Sequence, residues 1–257
     1  MNILQSLVLG IVEGLTEFLP ISSTFHLIVT SKLMGLASTD FLKLFEVVIQ
    51  SGGIAALLFL YTKTLFSDKK LFMNVVYSFI PTAVVGFGLY KIIKNTLFES
   101  NWLMLSVFIG LGIIFLVIER YSLVLTKKCD SITPLHAILI GLAQAFSVVP
   151  GVSRAGSVIV AMMCLGYKRN EAAKYTFLLS MPTIFGATAL DLYQGRELLL
   201  GMTDGWLLLG IGFAVAFVTA YLVVKWFTHY LANHTLELFG WYRLIAAAGL
   251  VLFRVLP

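Results

Sequence analysis

The sequence predicts an all-α polytopic membrane protein, with six full transmembrane helices and two re-entrant helix–turn–helix segments in an inverted repeat. Three observations support this fold class. Of the 257 residues, 59% are hydrophobic and 12% are charged, and the mean hydropathy of +0.95 excludes an ordinary soluble domain. Several apolar stretches approach the roughly 20 residues that cross a bilayer. Two further apolar segments are interrupted by polar residues and proline, which leaves arms too short to cross alone.

The six predicted full spans are uninterrupted apolar stretches of near-transmembrane length. They are residues 45–62, 71–90, 101–118, 175–190, 205–224 and 239–253. The second, third and fifth contain no charged residue, whereas the first contains Glu46 and the last contains Arg243. Sustained apolar character over such lengths is the primary signal for transmembrane helices.

The first interrupted segment has its polar break at residues 13–26, EGLTEFLPISSTFH. Ionisable groups at membrane depth are costly, and they indicate a functional site. On a helix, Glu13 and Glu17 share one face, where two carboxylates repel unless a cation lies between them or one is protonated. We therefore expect a divalent cation, Mg²⁺ or Ca²⁺, on this pair. The alternative is that the two glutamates line a water-filled vestibule without chemistry.

The second interrupted segment covers residues 134–166 and is broken at residues 149–154, VPGVSR. Arg154 is permanently charged in apolar surroundings, so it must find an anion, either a carboxylate or a ligand phosphate. Gly151 permits close backbone approach, and the amides that begin the next helix would face the same anion. The alternative is a structural pair between Arg154 and a glutamate that joins the two segments.

The two interrupted segments can be laid over each other with one gap. Gly10, Glu13, Thr16, Pro20 and Ser23 then match Gly141, Gln144, Ser147, Pro150 and Ser153. We predict a single membrane domain, residues 1–257, made of a pseudo-repeat over about residues 1–125 and another over about residues 131–257. The first repeat has three full spans, so the second must be inserted upside down, with the site where the breaks converge.

Lysine and arginine positions predict the orientation in the membrane. The ten assigned to one side are Lys63, Lys69, Lys70, Arg120, Lys127, Lys128, Lys168, Arg169, Lys174 and Lys225. The six assigned to the other side are Lys32, Lys43, Lys91, Lys94, Arg196 and Arg254. The richer side is predicted to be cytoplasmic, so the first re-entrant turn enters the membrane from the outside and the second from the inside. The same rule explains the net charge of +5 without nucleic-acid binding.

The polar groups at the two breaks are together suited to phosphoryl transfer. A hydroxyl of Ser22 or Ser23, or a water, would attack phosphorus, and His26 or a glutamate would take the proton. Arg154 would steady the equatorial oxygens, while a cation on the glutamate pair would neutralise the leaving group. A buried site of this kind suits a substrate that arrives through the lipid.

The motifs cover nearly the whole chain in order. They are EGLTEFLPISST at residues 13–24 with His26, FEVVIQ at 45–50, PGVSR at 150–154, GATALDLY at 186–193, and Tyr242 with Arg243. In these motifs the chain resembles the undecaprenyl-diphosphate phosphatase family of bacterial membranes, the bacitracin-resistance type. The resemblance implies hydrolysis of undecaprenyl diphosphate to undecaprenyl phosphate with a divalent cation, at the outer face of the bacterial inner membrane. The product would be recycled for peptidoglycan synthesis.

The resemblance also implies residue roles. It makes Ser23 the nucleophile, although a water remains open, and His26 the acid/base. Glu13 and Glu17 become the acidic pair that binds the metal. The expected partners are a polyprenyl diphosphate lipid and membrane lipids, with no nucleic acid, and a homodimer is possible.

The phosphate is expected to contact the Ser153–Arg154 pair of the resemblance, together with neighbouring polar groups and the second turn. These further contacts are Ser22, Thr24 and Gly151. Three polar residues on neighbouring helices are expected to surround the site without touching substrate, although Glu46 and Gln50 fit helix–helix hydrogen bonding equally well. They are Glu46, Gln50 and Gln144.

Three positions depart from the family pattern. Phe25 stands where the family usually has glycine, Ala155 replaces a serine and Val158 replaces a threonine. The last two changes remove hydroxyls near the expected phosphate site, which favours a slower enzyme or a paralogue that binds the lipid without hydrolysing it. A polyprenyl-phosphate transporter or flippase is the rival from another class. The Ser23–His26 pair beside carboxylates argues against it, since transport alone does not require that pair.

Overall fold

The computed structural model describes residues 1–92, 101–121 and 124–253, and in these residues all regular secondary structure is helical apart from an isolated bridge between Lys127 and Tyr167. The α-helices are α1 Ile3–Thr16, α2 Ser23–Leu33, α3 Asp40–Val48, α4 Gln50–Ser67, α5 Lys69–Ile92, α6 Asn101–Arg120, α7 Pro134–Ala145, α8 Arg154–Cys164, α9 Arg169–Leu200, α10 Gly205–Asn233 and α11 Glu237–Leu252. The predicted all-α class is therefore confirmed for the described residues.

Within the described residues, four stretches are long and apolar enough to cross a membrane, which fits a multi-pass membrane protein. They are Asp40–Ser67, which joins α3 and α4, then Lys69–Gly88, Trp102–Arg120 and Gly205–Asn233. Each contains all or most of one predicted span. The other two predicted spans are helical too, but residues 175–190 lie in the long helix α9, and residues 239–253 lie mostly in α11, which has 16 residues.

Each interrupted segment folds as a helical hairpin. In the first, α1 packs beside α2 and the turn follows Thr16. Asn2 and Gln5 cap the start of α1 reciprocally, satisfying amides that a helix end otherwise leaves unpaired. At 14 residues, α1 is about 21 Å long, short of the roughly 30 Å hydrocarbon core of a bilayer.

The first hairpin starts and finishes at one end of the bundle, the end where α10 begins, which we call the Gly205 end. Near the start of α1, the Ser6 hydroxyl donates to the Leu208 carbonyl at 2.7 Å. Beyond α2, Met34 and Leu36 pack in the same apolar cluster as Leu208. The polar turn therefore lies within the bundle and not at this end.

The second hairpin starts and finishes at the opposite end, where α5 begins, which we call the Lys69 end. Just before α7, the Ile132 carbonyl accepts from Asn74 Nδ2 at 3.1 Å. Just after α8, the Leu165 carbonyl accepts from Lys127 Nζ at 2.8 Å. The two hairpins thus enter the bundle from opposite ends, as expected of an inverted repeat.

Close packing seats each hairpin against a helix of the other half of the chain. Helix α1 packs on α10, and α7 packs on α5. A Cβ on Gly14 would lie 2.6 Å from Thr219 Cβ, and a Cβ on Gly141 would overlap the Ser78 carbonyl, so these contacts require glycine. Each hairpin thus packs on a helix of the other half of the chain, which matches the predicted pseudo-repeat. The pseudo-repeat itself stays a prediction.

A polar network ties three helices together at the Lys69 end. Arg169 Nε donates to Glu119 Oε1 at 2.8 Å, and a second guanidinium nitrogen pairs with Glu119 Oε2. The amide of Leu236, just before α11, also donates to Glu119 at 2.8 Å. Several residues predicted to be cytoplasmic gather here, including Lys70, whose Nζ donates to the Asp130 carbonyl at 2.6 Å. Of the basic residues used for orientation, Lys94 and Arg254 lie outside the described residues.

Candidate active site

The two hairpin turns meet beside a cavity of about 340 Å³. Its polar part combines residues of both hairpins, which are Glu17, Ser22, Ser23, Thr24, Ser153 and Arg154. Its remaining wall comes mainly from α5 and α9, where it reaches Phe87 and Asp191 in the halves of these helices nearer the Gly205 end. The sequence therefore predicted correctly that the two breaks converge.

Glu17 connects the two hairpins. Its Oε2 accepts the hydroxyl proton of Ser23, and its Oε1 is paired with Arg154 Nη2. Both Ser23 and Glu17 are buried. The anion predicted for Arg154 is thus a glutamate, and hydrogen bonds between charged groups are among the strongest in proteins. Arg154 also lines the cavity, and its buried Nε has no partner among the described residues, so it retains capacity for a ligand anion.

Ser22 has a strained backbone and an unused hydroxyl. Its φ is +68°, a conformation that non-glycine residues adopt rarely and that costs about 1–3 kcal/mol. Its Oγ is buried beside the cavity with no hydrogen-bond partner in the described part of the chain. A buried hydroxyl without a partner costs about 1–3 kcal/mol, so a ligand that bonds to it recovers this penalty. Backbone strain of this kind clusters at functional sites.

Glu13 is fully buried, and neither carboxylate oxygen has a hydrogen-bond partner among the described residues. It lies close enough to Glu17 and Arg154 to interact electrostatically with both, although it does not line the cavity itself. Across the described ranges, no cluster of three or more His, Cys, Asp or Glu residues could hold a metal ion. Magnesium is commonly held by one or two carboxylates plus substrate phosphates and water. The Glu13 carboxylate, which has no hydrogen-bond partner among the described residues, and Glu17 therefore fit a divalent cation. Such a cation would take its remaining ligands from the substrate and water.

His26 is held away from Ser23. Its Nδ1 lies 2.7 Å from the Ser22 carbonyl oxygen, and its Nε2 lies 2.7 Å from the Tyr242 hydroxyl. A carbonyl can only accept, so Nδ1 carries the proton, and a neutral ring then accepts from Tyr242 at Nε2. The predicted Ser23–His26 pair is not formed, because the Ser23 hydroxyl donates to Glu17 instead. His26 supports the strained turn at Ser22.

The residues expected around the phosphate from the second turn separate into two groups. Ser153 and Arg154 line the cavity, and the Ser153 hydroxyl also accepts from the Gly156 amide at 3.1 Å, capping α8. The structure does not bring Gly151 to the cavity lining. Its φ is +92°, and a Cβ there would overlap the Met104 carbonyl, so this glycine shapes the turn.

The three residues expected to surround the site also differ in position. Glu46 accepts from the Ser31 hydroxyl at 3.0 Å and does not line the cavity, whereas Gln50 does. Gln144 is buried, and its Nε2 donates to the hydroxyls of Thr82 and Thr183, each at 3.0 Å. Both threonines line the cavity, so Gln144 orients part of its wall.

Arg243 is the main residue that the sequence analysis did not place at the site. It is fully buried, and its guanidinium donates to the carbonyls of Phe108, Pro20 and Gly151 at 2.8, 3.0 and 2.9 Å. Pro20 belongs to the first turn and Gly151 to the second, so one side chain binds both. The signal that identified Arg154, a lone cation in an apolar segment, was also present at Arg243.

The three departures from the family pattern lie outside the cavity lining. Phe25 is buried and stacks on Phe108, with ring centroids 3.9 Å apart and planes 10° from parallel. Ala155 and Val158 are buried, and Val158 belongs to the main apolar cluster. These three side chains therefore pack against neighbouring residues. The cavity is still lined by Ser22, Ser23 and Arg154.

The chain is similar to known proteins along nearly its whole length. Residues 6–249 match the model of the family described as bacitracin resistance protein BacA. A protein named undecaprenyl-diphosphatase from Aquifex aeolicus is 43% identical over 246 residues, covering 94% of each chain. Relatives of the same name from Sulfurihydrogenibium sp. and Campylobacter fetus are 44% and 40% identical, covering 95% and 98% of this chain and 96% and 99% of theirs. With the family model matched along nearly its whole length, the chain belongs to the bacitracin resistance protein BacA family.

Proposed function

We infer that this chain is an undecaprenyl-diphosphate phosphatase, which hydrolyses undecaprenyl diphosphate to undecaprenyl phosphate and inorganic phosphate. Relatives covering nearly the whole chain carry the name undecaprenyl-diphosphatase. The observation that carries the inference is the linked arrangement of Ser23, Glu17 and Arg154 beside a cavity that also has an apolar wall. A nucleophile, a base and a phosphate-binding cation are the parts that phosphoryl transfer requires.

We propose Glu17 as the base, because its Oε2 accepts the hydrogen bond of the Ser23 hydroxyl. The Ser23 hydroxyl attacks the terminal phosphorus and transfers its proton to Glu17, and undecaprenyl phosphate leaves as the bond to the bridging oxygen breaks. Water then hydrolyses the phosphoserine, releasing phosphate and restoring the serine. Direct attack by a water that Glu17 deprotonates is the second route, with the same products. Arg154 binds the equatorial oxygens, where its planar fork stabilises charge spread over several atoms.

Glu13 and Glu17 would hold the divalent cation, which neutralises charge on the diphosphate when it is bound. Substrate phosphate oxygens and water would supply the remaining ligands. The support for this assignment is the buried Glu13 carboxylate, which lies near Glu17 and receives no hydrogen bond from a donor among the described residues.

We further propose that both hairpins are re-entrant in the bacterial inner membrane and that α9 and α11 complete six full spans. The hairpins begin and end at opposite ends of the bundle, and each is built of helices too short to cross. The cavity reaches the halves of α5 and α9 nearer the Gly205 end, which the lysine and arginine bias assigns to the outer face. The substrate diphosphate would then be hydrolysed at that face.

The test is phosphate release from undecaprenyl diphosphate by the purified protein. We expect Ser23→Ala to lower turnover by about 100-fold or more while lipid binding persists, because it removes the nucleophile and leaves Arg154 in place. Ser51→Ala is the matched control, since the Ser51 hydroxyl donates to the Val48 carbonyl at the end of α3 and Ser51 does not line the cavity. Excess chelator should abolish activity, and added Mg²⁺ should restore it.

Three results would contradict parts of this proposal. Tight lipid binding without phosphate release by the unmutated protein would favour the transporter or the non-hydrolysing paralogue. Near-normal turnover by folded Ser23→Ala would make water the nucleophile. Full activity in chelator after extensive dialysis would exclude the cation at Glu13 and Glu17.

A further inference from the structure

The wall of the cavity formed by α5 and α9 is a mostly apolar groove between these helices. On α5 the lining residues recur every three or four positions, which places them on one helix face. They are Phe79, Thr82, Ala83, Gly86 and Phe87. On α9 they follow the same spacing, as Thr183, Ile184, Gly186, Ala187, Leu190 and Asp191. Each set covers about 12 Å along its helix, since a helix rises about 1.5 Å per residue.

Two glycines widen this groove, and helix packing does not require glycine at either position. A Cβ added to Gly86 or to Gly186 would meet no atom within 4 Å. The glycines that seat the hairpins differ, because Gly10, Gly14 and Gly141 are closely packed against backbone or side chains. Glycine weakens a helix interior relative to alanine, so glycine at an uncrowded position that lines a cavity requires another explanation.

The groove opens sideways. Phe87, Gly186 and Ala187 line the cavity and are also exposed on the outside of the bundle. Their exposed neighbours Val84 and Phe185 are apolar, and Lys69–Gly88 is a candidate membrane span, so this opening faces the lipid. The gap between α5 and α9 therefore joins the cavity to the hydrocarbon region.

The other part of the same cavity requires a polar ligand. The Ser22 hydroxyl is 96% buried and has no partner among the described residues, and it lines the cavity together with Arg154. A ligand that fits the whole cavity has an anionic, hydrogen-bonding head and an apolar tail that leaves sideways. A prenyl diphosphate has both parts.

We propose that the groove between α5 and α9 binds the isoprene units nearest the diphosphate, and that Gly86 and Gly186 keep it open for a long prenyl tail. This inference rests on the proposed phosphatase function and adds the tail-binding subsite. Methyl-branched isoprene units are wider than a straight alkyl chain, and the two glycines supply the missing width. Side chains at these positions would obstruct the tail while leaving Ser23, Glu17 and Arg154 in place.

The test compares the variants Gly86→Leu and Gly186→Leu on two substrates, undecaprenyl diphosphate and the short geranyl diphosphate. We expect kcat/KM for the long substrate to fall by about tenfold or more, the size of effect that one misfitting apolar group produces in a hydrophobic pocket. The fall for geranyl diphosphate should be several times smaller, because its short tail occupies less of the groove. Most of the change should be in KM, since the tail binds equally in the ground and transition states.

Matched controls exist in the same fold. Gly88 on α5 and Gly210 on α10 also have no atom within 4 Å of an added Cβ, and neither lines the cavity. Gly88→Leu and Gly210→Leu should leave both substrates unaffected. Equal losses for both substrates in the groove variants, or no loss for the double variant Gly86→Leu with Gly186→Leu, would overturn the proposal.

A parallel binding measurement separates this inference from the proposed function. Undecaprenyl phosphate and geranyl phosphate are titrated into each purified variant in detergent. The groove variants should weaken binding of the long lipid about tenfold more than binding of the short one. This difference would support the groove even if the unmutated protein released no phosphate, whereas equal affinities in every variant would reject it even if the enzyme were active.

Discussion

Glu17 holds two groups of opposite character, the Ser23 hydroxyl and the Arg154 guanidinium, on its two carboxylate oxygens. A carboxylate that accepts both bonds is kept in one orientation, and the serine that donates to it is aimed by the same contact. The proposed proton acceptor therefore lies in the same hairpin as the proposed nucleophile. Both ring nitrogens of His26 bond elsewhere and not to Ser23, although His26 lies only three residues away in the sequence.

The first residue-scale prediction separates these two candidate bases. Glu17→Gln should lower turnover by a factor of about 10² to 10⁴, because it removes the proton acceptor and the partner of Arg154. His26→Asn should cost much less per folded molecule, and Tyr242→Phe, which removes the partner of His26 Nε2, should have a similar small effect. Turnover is normalised to the monodisperse fraction in size-exclusion chromatography. A loss in His26→Asn equal to that of Glu17→Gln, with Tyr242→Phe unaffected, would return the proton-transfer role to His26.

At this scale the sequence identifies residues better than their partners. Glu17, Ser22, Ser23, Thr24, Ser153 and Arg154 all line the cavity, as the polar breaks in apolar segments predicted. The partner of Ser23 was not predictable, because both Glu17 and His26 lie near it along the chain. Only the folded structure shows that the Ser23 hydroxyl donates to Glu17.

At the scale of elements, α11 acts as a tie between the two hairpins. Arg243 projects from it and donates to one carbonyl of each turn, and its guanidinium lies 4.2 Å from the centroid of the Phe108 ring. Carbonyls in turns lack the internal partners that helices provide, so a buried cation with several donors can satisfy them. The two turns are held in one relative position by this side chain.

The element-scale prediction concerns this tie. Arg243→Lys keeps the charge but cannot reach three carbonyls that lie in different directions, so we expect a lower melting temperature in detergent. Each hydrogen bond to a charged group contributes about 1.5–3 kcal/mol, and losing two would destabilise the fold by several kcal/mol. Arg196→Lys is the control, because the Arg196 side chain is half exposed at the end of α9. An unchanged melting temperature for Arg243→Lys would show that the turns hold their positions without the tie.

Both hairpins were predictable as elements because their apolar arms are short and their breaks are polar. The bounds of the longer helices were less predictable. Helix α3 begins at Asp40, well before the predicted span at residue 45, because Thr39 caps it. Its charged residues lower its hydropathy, so the apolar pattern did not include its first turn. The junction at Ile49 then separates α3 from α4 and divides Glu46 from Gln50.

For the molecule as a whole, the two ends of the bundle differ in charge. The Lys69 end gathers basic residues that include Lys70, Lys127 and Arg169, and the cavity reaches toward the other end. The predicted grouping of loops depended on counting six spans with two re-entrant hairpins, since a single crossing by either interrupted segment would change which loops share an end. The structure places the loops at Lys70 and Asp130 together, as that count requires.

The whole-molecule prediction fixes which end faces the cytoplasm. Single cysteines at exposed Ser67 and Glu197 are labelled on intact cells with an impermeant thiol reagent, in a Cys164→Ser background. Cys129 can remain, because burial and the neighbouring Glu171 carboxylate raise the pKa of its thiol and keep it unreactive. We expect labelling at Glu197→Cys and none at Ser67→Cys until the cells are opened. The reverse pattern would place the active site at the cytoplasmic face.

The packing of α1 on α10 has a consequence for the synthesis of this protein on the ribosome. The contact between Ser6 and Leu208 joins residues 202 positions apart. At about 5–20 residues per second, the ribosome needs roughly 10–40 s to deliver the second partner after the first. During that interval α1 is too short to span the bilayer and has no groove to occupy. A chain that stopped before Gly205 would contain both turns and every candidate catalytic residue, and its nucleophile would still have no fixed place in the membrane.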